Sequence, residues 1–483
     1  MIDNVIHTDI SSAELIMTES GVYMRNEMTA DQKFKQMTEG PIEKLVLKLA
    51  VPTIISMLTT SIYNMADTFF VSKISTSASG SVGIAFPLMM IIQAIGFTLG
   101  MGSGNYISRL LGQKDREYSS KVLATGFFTA LIVGAALAII GIIFLNPLVY
   151  ALGATETIAP HAKAYIRYIL IGMPFMTASF VLNGTLRFQG SAFYSMIGIA
   201  TGGILNILLD PIFIFTLNMG TGGAALATII SQFISFCILF YNSSIGGNIK
   251  IRIKEFTPKW EMYQEILRGG LPSFYRQALG SVALIALNFS AGIYGDAAIA
   301  AMSIVGRVIQ FAVSVMLGLG QGFQPVCGFN YGAKLYDRVL KAFYFTAKLS
   351  IIALSILSVI GLITSPLVIT AFRKEDLEVI KIGSLALRFQ SLTLPLIAWI
   401  IMTNMLVQTI GKSKEASIVA ISRQGLFFIP AVLILPRMFG LLGVQLSQPI
   451  SDLCAFMVSL IISRNVLSEL KMLQHGLKNV NID

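Results

Sequence analysis

The chain has 483 residues, of which 54% are hydrophobic and 12% charged, about half the charged share of an ordinary soluble domain. A mean hydropathy of +0.74 agrees, and together these exclude a typical soluble enzyme and point to a protein immersed in lipid. The formal charge of +10 does not indicate nucleic acid, because its cations gather in alternate short connections between apolar runs.

In chain order, residues 1–43 are polar and mixed in charge, with no apolar stretch of signal-peptide length. They are expected to form a mobile cytosolic extension. Apolar runs of the roughly 18–20 residues needed to cross a bilayer then follow one another. Twelve spans are predicted near 46–71, 82–108, 121–145, 163–186, 192–217 and 222–245, then 267–292, 298–325, 343–370, 383–409, 415–436 and 441–464. The basic, Pro258-containing stretch 247–266 has no counterpart later in the chain and reads as a cytosolic linker. The expected organisation is a first lobe over 44–246, the linker, a second lobe over 267–465 and a cytosolic tail over 466–483.

The two lobes repeat each other. Pro52 and Pro272, Gly112 and Gly332, Lys114 and Lys334, Pro174 and Pro395, and Gly190 and Gly411 recur in order, about 220 residues apart. Lys and Arg collect in alternate connections, as at Arg109–Lys121 and Lys334–Lys341, while the turn Arg373-Lys374-Glu375-Asp376 is mixed in charge. This positive-inside pattern places both termini in the cytoplasm, and an even number of spans per half makes the repeat parallel. The fold class is therefore an all-α membrane protein of two pseudo-symmetric six-helix lobes in a parallel repeat.

Charged side chains within spans are costly, so each is a functional candidate. Asp67 in the first span and Asp210 in the fifth both fall about 27–30 Å from the inner surface. Thr228 in the sixth span and Tyr165 in the fourth reach a similar depth, and Asn206 lies one helical turn from Asp210. Two carboxylates together in low dielectric do not both stay ionised and unpaired: one takes a proton, or a cation binds between them. The plainer alternative is that Asp67 caps a helix end and Asp210 stiffens a kink with Pro211. The second half has no such pair; it carries Arg276, Arg307 and Arg423 with Asp452, and an Arg–Asp452 pairing is expected without the sequence selecting the arginine. Pro52 and Pro272 are candidate hinges. Met57, Tyr63, Met65, Met173, Met176 and Gln277 are candidates for the lining of a cavity suited to flat, greasy cations. The glycine-rich stretches Gly96–Gly104 and Gly318–Gly322 read as packing surfaces. The three cysteines, Cys237, Cys327 and Cys454, read as buried and inert, and the histidines, His7, His161 and His475, all lie away from the depths of the spans. No phosphate-binding loop or other enzyme signature is present, and no cofactor is expected.

These residues resemble the multidrug and toxic compound extrusion family. The carrying segments are Pro52 through Tyr63-Asn64-Met65-Ala66-Asp67-Thr68, Arg109-Leu110-Leu111-Gly112, Asn206-Ile207-Leu208-Leu209-Asp210-Pro211, and Gly318-Leu319-Gly320-Gln321-Gly322 through Gly328-Phe329-Asn330-Tyr331-Gly332-Ala333. The resemblance implies two six-helix lobes around a central cleft that opens alternately inward and outward, in a plasma-membrane antiporter, monomeric and surrounded by lipid, that exports organic cations against inward H+ or Na+. It implies a cation site in the first lobe at Asp67, Asn206, Asp210, Thr228 and Tyr165. Other members carry acidic residues in the seventh and tenth spans, where this chain has Arg276-Gln277 and Asn404. A flippase for lipid-linked precursors is the alternative, with the second-lobe arginines serving a pyrophosphate.

Overall fold

The computed structural model describes residues 13–18, 21–26, 29–373 and 376–476. His7, Lys374, Glu375 and the tail beyond Gly476 lie outside the described residues. Two short strands, β1 (Ala13–Thr18) and β2 (Gly21–Asn26), pair antiparallel, and the regular elements after them are helices among the described residues. The stretch expected to be a mobile extension also contains a ten-residue helix, α1 (Ala30–Glu39), begun by a Thr29–Gln32 capping box.

The first lobe consists of α2 (Ile42–Ser72), α3 (Thr76–Gly112), α4 (Arg116–Ile143), the short α5 (Leu145–Ala151), α6 (Ala159–Phe188), α7 (Ala192–Pro211) and α8 (Gly220–Asn242). The second consists of α9 (Trp260–Gly292), α10 (Asp296–Gly332), α11 (Tyr336–Phe372), α12 (Leu377–Thr409), α13 (Ser413–Ile421), α14 (Ile429–Phe439) and α15 (Leu441–Gln474). Among the described residues, 11 helices are long and apolar enough to cross a membrane. Helix α9 is as long as its neighbours, but Tyr275-Arg276-Gln277 at its centre dilutes its hydropathy. Side-chain caps start several helices: Ser75, Asp115 and Asp376 each accept a backbone N–H in the first turn of the helix that follows.

The repeat extends to the backbone. Lys114 and Lys334 both adopt left-handed φ, 63° and 60°. In each turn the following N–H reaches back to close the helix, Asp115 to Leu110 at 2.9 Å and Leu335 to Asn330 at 2.8 Å. Gly190 and Gly411 repeat the device, with φ of 79° and 91°. There Ser191 N–H bonds Leu186 O and Lys412 N–H bonds Val407 O, both at 2.9 Å.

The lobes meet through a crossed seam in which α2 packs on α10 and α3 packs on α9. Small residues permit that approach. A Cβ on Gly102 would collide with the Ile266 carbonyl, one on Gly270 with the Thr98 carbonyl, and one on Gly322 with the backbone of Ala50. Near the end of the molecule that carries α1, the seam tightens further: Gly112 abuts Phe329, Gly332 abuts Arg109, and Arg109 Nη1 donates to Thr409 O at 3.1 Å. Toward the other end, Gly83, Gly280 and Gly306 face open space. The backbone contacts between the lobes are therefore tightest on the α1 side, and these three positions toward the opposite side are open.

Both candidate hinge prolines lie within unbroken helices. Pro272 frees the carbonyl of Arg268, one turn back, and the Ser413 hydroxyl donates to that carbonyl at 2.7 Å. Gln408 Nε2 donates to the neighbouring Gly269 O at 2.7 Å and to Ser273 Oγ at 2.9 Å. Of the three thiols expected to be buried, only Cys327 is; Cys454 is partly covered and Cys237 is exposed, which follows from its place on the outer side of α8.

Because the seam is set by backbone contact, Gly270→Val is expected to destabilise the protein by about 1–3 kcal/mol through overpacking. Gly280→Val, on the same helix but facing open space, should cost much less. Thermal unfolding of the two variants in one detergent checks the difference.

Candidate functional site

The polar residues that four helices of the first lobe place at one depth fall into two hydrogen-bonded groups, Asp67 with Tyr165 and Asn206 with Asp210 and Thr228. Asp67 projects from α2, Tyr165 from α6, Asn206 and Asp210 from α7, and Thr228 from α8; all five are buried. Tyr165 is fully enclosed in an apolar cluster with Ile166, Ile169 and Val71, and its hydroxyl donates to Asp67 Oδ2 at 3.4 Å. Asn206 lies one turn from Asp210, as the i, i+4 spacing requires. Its amide donates to Asp210 Oδ1 at 3.2 Å and to Thr228 Oγ1 at 3.3 Å. Immediately beyond Asp210-Pro211 the helix widens into a π turn over Ile212–Thr216, a local geometry that recurs at functional sites.

The hydrogen bonding of this cluster is incomplete. Asp67 Oδ1, Asp210 Oδ2 and Asn206 Oδ1 are all buried with no partner. An unpartnered buried polar atom costs about 1–3 kcal/mol, and three acceptors among these five residues stand in that condition. Every free atom is an oxygen acceptor, so the cluster lacks positive charge or donated protons rather than space. The donor set of carboxylate, amide and hydroxyl oxygens suits a proton or a hard monovalent cation and offers nothing to a soft metal. No group of three or more His, Cys, Asp or Glu residues suited to a metal occurs among the described residues.

The second lobe differs. Asp452 on α15 is also fully buried, but its carboxylate is satisfied. Arg423 Nε donates to Oδ1 at 2.7 Å, Gln448 Nε2 to the same oxygen at 2.8 Å, and Thr393 Oγ1 to Oδ2 at 3.1 Å. Arg423 is thus the partner among the three candidate arginines. It sits in a second π turn, Ser422–Phe428, and the Ser451 hydroxyl donates to its backbone carbonyl. Arg307 is exposed and Arg276 half-buried, and neither forms a salt bridge among the described residues.

The expected cavity lining is corrected in part. Met173 and Met176 are buried in the apolar core of the first lobe, because their helix, α6, is the central helix of that lobe and is packed on several sides. Met57 and Met65 keep accessible surface. Gln277 bridges the seam, donating to Gln93 Oε1 at 3.0 Å and contacting Met90 Sδ at 3.3 Å. Tyr63, one turn from Asp67, accepts a hydrogen bond from Gln232 Nε2 at 3.4 Å. Gln232 and Ser231, whose buried hydroxyl has no partner, escaped the sequence reading. Their i+3 and i+4 spacing from Thr228 on one helix was the available signal. Gln448, four residues before Asp452, carried the same signal.

Known proteins offer a consistent comparison. Residues 52–212 and 272–433, together more than half of the chain and one segment per lobe, match the MatE family. The chain is similar to the multidrug export protein MepA of Staphylococcus haemolyticus (strain JCSC1435), 28% identical over 438 residues, covering 89% of this chain and 96% of that protein. It is 29% identical over 441 residues to MepA of Staphylococcus aureus (strain MSSA476), with the same coverage. Among solved structures, a multidrug resistance MATE family transporter of the MOP superfamily in an outward-facing conformation superposes with a TM-score of 0.85 at 29% identity, covering 90% of this chain and 98% of that one. A MOP superfamily transporter from Pyrococcus furiosus superposes with a TM-score of 0.84 at 28% identity and the same coverage.

The two lobes predict opposite responses to loss of a carboxylate. Asp452→Ala leaves the Arg423 guanidinium without its counter-charge and is expected to cost about 3–5 kcal/mol. Adding Arg423→Ala should recover part of that loss. A double-mutant cycle by thermal unfolding checks the coupling, and additive losses would contradict it.

Proposed function

This chain belongs to the MatE family of multidrug efflux transporters, and we propose that it works as an antiporter, exporting small organic cations in exchange for H+ or Na+. The observation that carries the proposal is the contrast between the two buried acidic sites. Asp452 is neutralised and fully bonded within its own lobe. Asp67 and Asp210 each keep a bare, buried oxygen. A site short of positive charge in low dielectric binds a proton or cation, and binding there changes which neighbours Asp67 can hold.

The direction of the cycle rests on orientation. With the positive-inside pattern, the α1 end is cytoplasmic, both termini lie inside, and the open side faces outward across the plasma membrane. In that state the coupling ion enters from outside, bridges Asp67 of α2 to Asp210 of α7, and draws α2 toward α7. Tyr165, Asn206 and Thr228 supply the remaining contacts. The shift of α2 reshapes the cleft that Met57, Tyr63 and Met65 border and releases cargo outward. Closure of the outer side then parts the inner seam, and the ion leaves to the cytoplasm. The single chain forms both lobes and the seam, consistent with a working monomer.

The lipid-precursor flippase fares less well on charge. Of the three arginines available to a pyrophosphate, Arg423 is neutralised by Asp452.

Asp67→Asn and Asp210→Asn preserve size and most hydrogen bonding while removing the charge. Each is expected to reduce gradient-driven dye efflux from everted vesicles at least tenfold, with unchanged amounts of folded protein in the membrane. Imposing a pH gradient and a Na+ gradient separately identifies the coupling ion, and wild-type efflux by both variants refutes the assignment.

A further inference from the structure

Helix α1 lies outside the transmembrane bundle and outside the segments that match the family, yet it is bonded to both lobes at their closed end. On the first-lobe side, Lys33 is buried. Its ammonium donates to Ser191 Oγ at 2.8 Å, Asn248 Oδ1 at 2.6 Å and Gly246 O at 3.1 Å. Those acceptors belong to the α6–α7 turn and to the start of the inter-lobe linker. On the second-lobe side, Asn330 Nδ2 of α10 donates to Met37 O at 3.0 Å and Arg338 Nη2 of α11 donates to Gly40 O at 2.6 Å. Arg338 Nε also holds Asn330 Oδ1 at 2.8 Å, so the two donors act as a unit. Met37 is buried in the second lobe's apolar core and also touches the position of Gly190 in the first lobe. Lys114 of the first lobe lies over the Phe34 ring at 4.7 Å.

We propose that α1 is a cytoplasmic latch, anchored through Lys33 to the first lobe and through Asn330 and Arg338 to the second, that holds the outward-open state shut on its inner side. The proposal rests on the alternating-access reading above, since only a seam that must part has use for a latch. Ten residues are too few for a stable isolated helix in water, where about 12–15 are needed. Its order therefore depends on docking, and parting of the lobes breaks one set of anchors or the other.

The Lys33 anchor is also easily reversed. All three of its acceptors are neutral, so a buried ammonium is held without a counter-ion. Burial, reinforced by the positive charge of Arg116, pulls Lys33 down from 10.5 to about 7. Arg116, at the start of α4, bonds the Gly247 and Asn248 carbonyls at 3.1 Å each. The facing turn Gln189–Ser191 and linker residues 246–249 bring no ionisable group, while Asp31 and Lys35 on α1 itself are exposed. Undocking restores the ordinary lysine affinity and so takes up a proton between pH 7 and 10.5. Docking is accordingly weakest at neutral pH and below, and strengthens as pH rises through that window.

Hydrogen exchange on the full chain tests the latch without requiring transport. Lys33→Met and Arg338→Ala, each cutting one anchor, are expected to speed exchange across the inner seam, residues 103–112 and 321–332, by about tenfold. Lys35→Ala, on the exposed face of α1, serves as the control and leaves exchange unchanged. Unchanged protection of the seam in either anchor variant overturns the proposal. So does a uniform acceleration that extends to the middle of α11, because that reports global destabilisation. Loss of efflux in the Asp67 and Asp210 variants is read separately, so failure of the latch and failure of the antiport reading are distinguishable.

Discussion

A charge inside a bundle of apolar helices must find its partner within the bundle, because lipid supplies none. The two lobes meet that requirement in different ways. In the second lobe, Asp452 is closed off by Arg423, Gln448 and Thr393, leaving a neutral, rigid polar knot. In the first, Asp67 accepts only from Tyr165 and Asp210 only from Asn206, and each keeps a bare oxygen. The buried carboxylate of the second lobe is fully bonded, and the two of the first lobe are not. Under the proposed antiport, that difference makes one half of a symmetric scaffold responsive and the other half a fixed reference.

The scaffold itself is symmetric to the level of individual turns. Lys114 and Lys334 share a left-handed backbone, Gly190 and Gly411 share another, and each pair closes its helix with the same hydrogen bond. The fifth helix of each lobe contains a π turn, at Ile212–Thr216 and at Ser422–Phe428. The side chains carried there have diverged: an acid precedes the first π turn, and a base sits within the second. Backbone architecture and charge placement are therefore separable, the former being duplicated and the latter specialised.

This separation explains what could be read from sequence. Breaker residues recurring in register and long apolar runs reveal the two lobes, and helix depth is enough to bring Asp67, Tyr165, Asn206, Asp210 and Thr228 to one level, because rise per residue is constant. Facing direction is harder, since it depends on how neighbouring helices rotate. Met173 and Met176 lie at a plausible depth for a cavity, but α6 is central to its lobe and turns them inward. The partner of Asp452 was likewise a matter of rotation: Arg276, Arg307 and Arg423 all lie within spans, and only packing selects Arg423. The docking of α1 was illegible for a further reason. Its anchors, Ser191, Asn248 and Asn330, are common polar residues of turns and helix ends, and nothing in their local pattern marks them as receiving a distant lysine.

The route from the acidic site to the inner seam is a single element. Asp67 lies near one end of α2, Ile54 and Ala50 lie against Gly318 and Gly322 of the second lobe, and the other end of α2 continues through Gly40 and Pro41 into α1. Pro52 lies between the acid and the tightest of these contacts, where a missing backbone bond makes the helix easiest to bend. Under the proposed mechanism, a change in what Asp67 holds moves a rod that touches the opposite lobe at Ala50 and Ile54 and ends at the α1 side. Because the glycine contacts are backbone against backbone, they tolerate sliding poorly, so a displacement of α2 is met by rearrangement of the seam rather than absorbed by flexible side chains. On that proposal, coupling over this distance needs no chain of specific side-chain contacts: it requires one helix with a titratable or cation-binding group near one end and a tightly packed partner toward the other.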